Sequence, residues 1–338
     1  MHPAGAEKPC ASLATLGKMA VMVQQLQDRR RLSRPAFFGA ALALLWTSAA
    51  GGAQEVPSAF AGADPSAMFR DGRLWIYPTG GDGLSAWSSS DRKDWKKDPL
   101  LRLSDIGWVE ADGAPVHYLW APDMVAHRGR YYLYYSVGPQ NPTPSRLGVA
   151  VCTSPAGPCT DSGKPLLTGG NGFEAIDPAV FVDPRSGRRL LYAGGSAGAK
   201  LRVFELAPDM VTIAREVPVE QPPQFTEGAF MHERNGTYYL SYSHGSWNRS
   251  NYSVHYATAG SPTGPWTYRG PVLTADAKYK GPGHHSFVRD PQSGEWLIVY
   301  HRWEGQTADG PYNGERRVAI QPIRYDAAGL IEPVRMTN

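Results

Sequence analysis

The 338-residue chain has little cysteine, little charge and no long apolar run. Three cysteines are too few for a disulfide scaffold or a zinc cluster, and two of them, Cys152 and Cys159, lie beyond the N-terminal region. The 34 basic and 31 acidic residues nearly balance, which excludes the strongly basic surface of a nucleic-acid-binding protein. No apolar segment reaches the roughly 20 residues that a transmembrane helix needs. The two cysteines could form a disulfide in an oxidising compartment or remain as two buried thiols.

A basic stretch followed by a short apolar one characterises the N-terminal region. Four arginines within residues 29–34 precede apolar residues 37–46, and small residues 51–53 follow. This order is typical of a secretory signal peptide, and the alternative is a buried first helix. Residues 1–53 hold six basic and two acidic residues, so cleavage near Ala53 leaves 28 basic and 29 acidic ones. We therefore expect a secreted or periplasmic, nearly neutral protein.

What the sequence has in abundance is glycine (37), proline (29), tyrosine (17) and tryptophan (10), which favours many short strands over a helical bundle. One pattern recurs five times: an apolar strand, a turn containing glycine, and a strand rich in tyrosine, leucine or tryptophan. Each copy predicts a β-hairpin. The turn glycines, which are 49 to 58 residues apart, are Gly72, Gly129, Gly187, Gly236 and Gly294.

A repeat of this length fits a four-stranded propeller blade. A two-sheet sandwich would not explain five near-equal copies. We therefore predict an all-β, five-bladed β-propeller that forms one catalytic domain over residues 54–338, after the signal peptide and the segment before it in residues 1–53.

The first strand of each propeller blade lines the central channel, so residues at equivalent positions of these strands converge. Asp64, Asp177 and Glu227 each lie four residues before an equivalent apolar residue, and His284 and His285 adjoin that position in the fifth copy. Neighbouring carboxylates repel one another and lose water, a cost that a metal, a cationic partner or a function must offset. The alternative for Asp64 and Asp177 is turn chemistry, because each precedes a proline.

Paired carboxylates beside aromatic residues in a secreted protein suggest glycoside hydrolysis. One carboxylic acid protonates the leaving oxygen, while another carboxylate activates water or attacks the anomeric carbon. Aromatic rings stack on sugar faces, although each tryptophan is alternatively a packing residue. The candidates for stacking are Trp75, Trp87, Trp120, Trp247 and Trp303.

Five short segments resemble those of family 43 of the glycoside hydrolases, and the likeness runs from about residue 57 to the end. The resemblance implies a secreted five-bladed propeller that acts on arabinan, arabinoxylan or xylo-oligosaccharides. The matching segments are 63–65, 119–123, 175–178, 226–228 with 235–239, and 281–286.

The resemblance also implies an inverting mechanism. Asp64 matches the general base that activates water, and Glu227 matches the general acid. Asp177 matches the carboxylate that orients this acid and modulates its pKa. Trp120 and Arg316 are the expected substrate-binding residues. Ordinary surface charge is the alternative for Arg316, because Arg317 beside it leaves the register open.

In many members of this family one histidine binds a largely hydrated calcium or sodium ion in the channel. His284 is the matching residue here. Hard cations prefer oxygen ligands, so water would supply most of the coordination. The alternative is a neutral His284 that is hydrogen-bonded to the acids.

The activity expected from these features is exo-acting: an α-L-arabinofuranosidase or a β-xylosidase that trims ends or side chains of plant hemicellulose. Two alternatives stay open, an endo-α-1,5-L-arabinanase and a non-catalytic secreted sugar-binding propeller. The expected partner is an arabinose- or xylose-containing oligosaccharide or polysaccharide. We expect a monomer without a nucleic-acid partner and without a membrane span.

Overall fold

The computed structural model describes residues 58–196 and 198–337, whose regular structure is almost entirely β-strand. Helical structure in these residues is limited to two short 3₁₀ turns, Leu103–Asp105 and Val109–Asp112. The predicted signal segment, residues 1–53, lies outside the described residues. In chain order the strands are β1 (Phe60–Ala61), β2 (Ser66–Arg70), β3 (Arg73–Tyr77), β4 (Gly83–Ser89), β5 (Lys96–Arg102), β6 (Tyr118–His127), β7 (Arg130–Gly138), β8 (Arg146–Cys152), β9 (Cys159–Asp161), β10 (Leu167–Thr168), β11 (Ala179–Val182), β12 (Arg189–Ala193), β13 (Arg202–Leu206), β14 (Ile213–Val217), β15 (Glu227–Arg234), β16 (Thr237–His244), β17 (Ser253–Ala259), β18 (Thr267–Leu273), β19 (Tyr279–Arg289), β20 (Trp296–Glu304) and β21 (Arg317–Ile323).

These strands form five antiparallel sheets that follow one another along the chain. Blades I to IV are β2–β5, β6–β10, β11–β14 and β15–β18, and in blade II both β9 and β10 pair with β8. Blade V combines β19, β20 and β21 with β1 from the start of the chain. The first strands of the blades, β2, β6, β11, β15 and β19, contact one another in a closed ring. The predicted five-bladed β-propeller is thus confirmed.

The five predicted hairpins join the first and second strand of each blade. In blades I, II and IV the turn has two residues, and both have positive φ, for example Asp71 (51°) and Gly72 (71°). This geometry is the type I′ turn, which matches the twist of the strands that it connects. Blades III and V use longer turns, in which Gly187 and Gly294 also have positive φ.

The apolar core is divided among the five interfaces between neighbouring blades. Strand β3 shows why, since its successive side chains point to opposite faces of the sheet. Trp75 and Tyr77 pack between blades I and II, whereas Leu74 and Ile76 pack between blades I and V. A blade buried on both faces needs continuous apolar runs in its middle strands, which explains the tyrosine- and leucine-rich second strands.

Cys152 and Cys159 stand directly opposite each other in β8 and β9 and form a disulfide. Of the two alternatives for this pair, the structure therefore has the disulfide. In the part of the chain that the structure describes, no helix is both long and apolar enough to cross a membrane.

Candidate active site

In every blade one residue at or near the start of the inner strand has left-handed backbone conformation. The five are Asp64 (φ 50°), Ala121 (43°), Asp177 (54°), Gly228 (61°) and His284 (39°). Such φ values are uncommon outside glycine and cost conformational energy. Their recurrence in all five blades identifies these residues as structurally equivalent.

This equivalence corrects the predicted register in two blades. In blade IV the equivalent residue is Gly228 and not Glu227, and in blade V it is His284 and not Gly283. The cause is the choice of matched residues, since Met231 and Phe287 were matched with Met68. Met68 pairs with the third residue after its turn glycine, and in blades IV and V the residues that do so are His232 and Val288. Glu227 therefore reaches the channel from a different backbone position than Asp64 and Asp177.

Both carboxylate oxygens of Asp64 accept hydrogen bonds from side chains. Its Oδ1 accepts a hydrogen bond of 2.7 Å from Arg316 Nη1, and its Oδ2 accepts one of 2.7 Å from the Thr79 hydroxyl. The backbone N–H of Asp64 donates to His301 Nδ1 at 3.1 Å. Burial by itself raises the pKa of Asp64, but Arg316 and the neighbouring histidines outweigh it and hold the pKa well below its usual range. Asp64 is therefore a carboxylate at neutral pH, as a general base must be.

The charges of both other acids act on Asp177. Its Oδ2 accepts a hydrogen bond of 3.1 Å from the backbone N–H of Gly228, the residue after Glu227. Its own N–H donates to the Ser136 hydroxyl at 2.9 Å. Burial, followed by the charges of Glu227 and Asp64, raises the pKa of Asp177 well above its usual range. The carboxylates are thus electrostatically coupled, and Asp177 fixes the backbone next to Glu227.

Two hydroxyl groups bracket the side chain of Glu227. Tyr252 Oη donates to Oε1 at 2.7 Å, and Ser196 Oγ donates to Oε2 at 2.7 Å. Tyr252 is fully buried and stacks on His301, with ring centroids 5.7 Å apart. The acid is therefore held at both oxygens by side chains from different parts of the ring.

His284 faces the carboxylates. Its Nδ1 lies 3.5 Å from Asp64 Oδ1 and 3.6 Å from Asp177 Oδ2. Burial lowers the pKa of His284, although the charges of Asp64 and Glu227 oppose this shift, so the ring is neutral near pH 7. His285 points elsewhere, since its Nε2 lies 2.7 Å from the Ser241 hydroxyl.

The donor set at His284 fits a metal ion only as a single protein ligand. Among residues 58–196 and 198–337, no three His, Cys, Asp or Glu side chains converge as metal ligands. A hard cation beside His284 would therefore take most of its ligands from water.

All six residues predicted for the site line one cavity of about 340 Å³. Trp120 forms one wall, with Tyr118 stacked on it at 5.8 Å. Trp247 forms another, and Arg316 lies over its ring at 4.9 Å. The cavity is lined by Asp64, Thr79, Trp120, Gln140, Ile176, Asp177, Ser196, Glu227, Trp247, His284 and Arg316.

Of the five tryptophans that were candidates for stacking on sugar, three are packing residues, which was the stated alternative. Trp75 is part of the core between blades I and II, and Trp87 stacks on Phe60 at 4.1 Å. Trp303 lies behind Trp247, with the ring centroids 6.2 Å apart, and donates to its carbonyl oxygen. For Arg316 the alternative of ordinary surface charge is wrong, because its side chain is only 17% exposed and is hydrogen-bonded to Asp64.

Sequence reasoning missed the residues that hold the carboxylates: Thr79, Ser196, Tyr252 and His301. They are single hydroxyl or imidazole groups in four different stretches of the chain, outside the hairpin pattern. For Thr79 a signal exists, since it comes two residues after the end of β3.

A ring of blades that brings three buried carboxylates, an arginine and aromatic walls into one cavity is the arrangement of a glycoside hydrolase. A family model, glycosyl hydrolases family 43, matches residues 57–331. The chain belongs to this family.

Characterised relatives cover most of the chain. A β-D-galactofuranosidase of Aspergillus niger is 36% identical over 299 residues, which are 81% of this chain and 83% of the relative. A xylosidase/arabinosidase of Humicola insolens is 31% identical and covers 80% of this chain and 95% of its own length.

Among solved structures, a β-xylosidase/α-arabinofuranosidase from a compost microbial metagenome, crystallised with xylotriose in a calcium-free form, superimposes with a TM-score of 0.65. It is 28% identical, and the match covers 83% of this chain and 96% of that one.

Proposed function

We propose that this glycoside hydrolase removes terminal or side-chain pentose units, α-L-arabinofuranosyl or β-xylosyl, from plant hemicellulose with inversion at the anomeric carbon. The observation that carries the proposal is the contrast between two carboxyl groups in one cavity. Asp64 is held as an anion by Arg316, whereas Glu227 is bracketed by two hydroxyl groups. Groups in such different environments suit the base and the acid of one reaction.

In the proposed mechanism each acid has one task. Asp64 takes a proton from the water that attacks the anomeric carbon on the face opposite the leaving group. Glu227 gives its proton to the glycosidic oxygen as the bond breaks. Asp177, through its hydrogen bond to the N–H of Gly228, holds the backbone that carries Glu227. Trp120, Trp247 and Arg316 bind the sugar ring.

The names of relatives support a pentose substrate, since they include xylosidase/arabinosidase and arabinoxylan arabinofuranohydrolase. A second candidate is a β-D-galactofuranoside, because a relative at 36% identity carries that name. The two furanose candidates share a five-membered ring, so one cavity can accept either. An endo-arabinanase remains the alternative that hydrolysis of linear arabinan would reveal.

The test compares wild type with Glu227→Gln and Asp64→Asn on phenyl α-L-arabinofuranoside, β-xyloside and β-galactofuranoside, whose phenol is a poor leaving group that needs a proton from the acid. General acid–base groups typically contribute 10²- to 10⁴-fold, so each variant should lose at least about 100-fold in kcat/KM. NMR of the first-formed sugar should show the inverted anomer. Glu332→Gln, an exposed acid, serves as the matched control.

An unchanged rate for Glu227→Gln would overturn the assignment of the acid, and a retained anomer would overturn the inverting mechanism. Sugar binding without hydrolysis of any glycoside would favour the non-catalytic sugar-binding protein instead.

We also propose that a calcium or sodium ion, if bound, sits on His284 with water as its main ligand. Calcium should then raise the thermal unfolding temperature of wild type but not of His284→Ala. An equal rise in both proteins would contradict this role of His284.

Secretion stays a proposal as well, and it fits a polymeric substrate outside the cell. N-terminal sequencing of the protein from culture fluid or periplasm should find a start near Gln54. An intact N-terminus on cytosolic protein would contradict the signal peptide.

A further inference from the structure

Gly138 is the last residue of β7 in blade II, and it is buried. Glycine weakens a strand, because it has no side chain to pack and loses much conformational freedom on folding. A left-handed φ is the usual reason for a glycine, as at Gly236 in its hairpin turn. Gly138 has no such φ, so its own backbone conformation does not explain the glycine.

The ring of Trp120 lies where a side chain of residue 138 would begin. A Cβ atom at position 138 would be 2.1 Å from Cη2, 2.3 Å from Cζ3 and 2.6 Å from Cζ2 of that ring. Carbon atoms that are not bonded to each other pack at about 3.5 to 4.0 Å. Any side chain at position 138 would therefore displace the Trp120 ring.

The pairing of β6 with β7 explains this close approach. Tyr118 stands opposite Gly138, and Trp120 stands opposite Ser136. Position 138 is thus the diagonal neighbour of Trp120, and diagonal neighbours are within the reach of aromatic side chains. The ring of Tyr118 is nearly parallel to that of Trp120, with an angle of 9° between the planes. Trp120 is therefore held between strand backbone and a second aromatic ring.

Trp120 forms a wall of the candidate active site, and Gln140, two residues after Gly138, lines the same cavity. We propose that Gly138 is a positioning residue of this site: its missing side chain lets Trp120 lie against β7 and keeps the ring in the wall that binds the sugar. The inference rests on the proposed function and extends it from the residues that touch the sugar to one that sets the position of such a residue.

The experiment is a double-mutant cycle of Gly138→Ala and Trp120→Ala, assayed on the phenyl glycoside that wild type cleaves. Gly138→Ala should raise KM by about threefold to tenfold, the usual worth of an aromatic contact. It should change kcat by less than about twofold, because lost ground-state binding raises KM alone. Without the Trp120 ring there is nothing to displace, so adding Gly138→Ala to Trp120→Ala should change KM by less than about twofold.

Two further glycines give matched controls. A Cβ atom at position 148 would be 2.4 Å from Cζ of Tyr135, a core side chain outside the cavity lining. Gly148→Ala should therefore lower the unfolding temperature and leave KM unchanged, which is the signature of a merely structural clash. At Gly260 a Cβ atom would contact nothing within 4 Å, so Gly260→Ala should change neither quantity.

An unchanged KM for Gly138→Ala, or an equal rise with and without the Trp120 ring, would overturn the inference while the proposed function stands. If Gly138→Ala alone fails to fold, the double variant should fold and match Trp120→Ala. A double variant that also fails to fold would overturn the inference as well. If wild type cleaves no glycoside, the proposed function fails and this inference fails with it.

Discussion

Arg316 controls the ionisation of a single carboxyl group, that of Asp64. A general base works as the carboxylate, so activity falls when the pH drops through its pKa. Because Arg316 lowers the pKa of Asp64, Arg316→Gln should raise that pKa. The acid limb of the kcat/KM profile should then move to higher pH. The measurement is kcat/KM against pH on the aryl pentoside that wild type cleaves.

The adjacent arginine offers a matched control. Arg317 bonds to the Ser58 hydroxyl and not to Asp64. Arg317→Gln should therefore leave the acid limb in place. An equal shift of the acid limb in both variants, or no shift in either, would contradict the prediction that Arg316 lowers the pKa of Asp64.

A chain of hydrogen bonds fixes the direction of the Tyr252 hydroxyl. The N–H of His284 donates to Ser243 Oγ at 2.8 Å, and Ser243 is hydrogen-bonded to Tyr252. A backbone N–H can only donate, and each hydroxyl has one proton to pass on. Tyr252 therefore donates to Glu227 Oε1, as Ser196 donates to Oε2.

Tyr252→Phe should lower kcat by about fivefold, since it removes a hydrogen bond that holds the Glu227 carboxyl group in place. The loss should be larger for poor leaving groups, because these depend most on protonation by Glu227. The assay is a series of aryl pentosides of different leaving-group pKa. Tyr242→Phe, whose hydroxyl bonds to the Pro223 carbonyl, is the control. A loss that is the same for every leaving group would point to a purely structural role for Tyr252.

Among the strands, one carboxylate links the inner strands of three blades. Asp123 of β6 accepts a hydrogen bond of 3.0 Å from the Ser66 hydroxyl of β2 and one of 2.7 Å from the Val180 N–H of β11. Burial nevertheless raises the pKa of Asp123 from 3.8 to about 6. Between these values the folded protein holds a proton that the unfolded chain has released. Stability that is present at low pH is therefore lost as the pH rises through this window.

Asp123→Asn should abolish this dependence, because asparagine keeps an acceptor for Val180 and carries no charge. A pKa difference of this size corresponds to on the order of 3 kcal/mol. From pH 4 to 7, the free energy of unfolding of wild type should fall by about that much relative to the variant. Urea unfolding at several pH values measures it, and Asp94→Asn, at an exposed position, is the control. Parallel curves for wild type and Asp123→Asn would contradict the prediction.

The elements differ in how well the sequence predicts them. The five hairpins follow from local turn chemistry, so their glycines and aromatic strands were sufficient to find them. The register of the inner strands was predicted one residue off in blades IV and V, because several apolar residues follow one another there and only the pairing with the next strand shows which of them is equivalent to Met68. Strand β1 has two residues, and no local pattern distinguishes it from a loop.

The whole ring is closed by that short strand. Phe60 of β1 pairs with Val318 of β21, so the start of the described chain completes the last blade. The Phe60 ring stacks on Trp87 of blade I at 4.1 Å and meets Trp95 edge-on at 5.3 Å. One side chain thus joins the first and last blades.

Phe60→Ala should destabilise the whole propeller by about 3 kcal/mol or more, the usual cost of truncating a buried phenylalanine. Because closure involves every blade, unfolding should stay a single transition at a lower temperature. Calorimetry measures both features. Val116→Ala, at a side chain that is 50% exposed, should change little. An unchanged unfolding temperature for Phe60→Ala would show that β1 does not contribute to closure.

By itself the sequence determined the fold class, the number of blades and three acids of the cavity. It could do so because turn chemistry and strand periodicity are local, and because a repeat places equivalent residues together. It did not determine which side chains hold those acids. Arg316 and Asp64 are 252 positions apart, and Tyr252 and His301 reach the site from blades IV and V. Only the closed ring brings such residues within hydrogen-bonding distance, because their meeting depends on how the blades pack and not on any pattern along the chain.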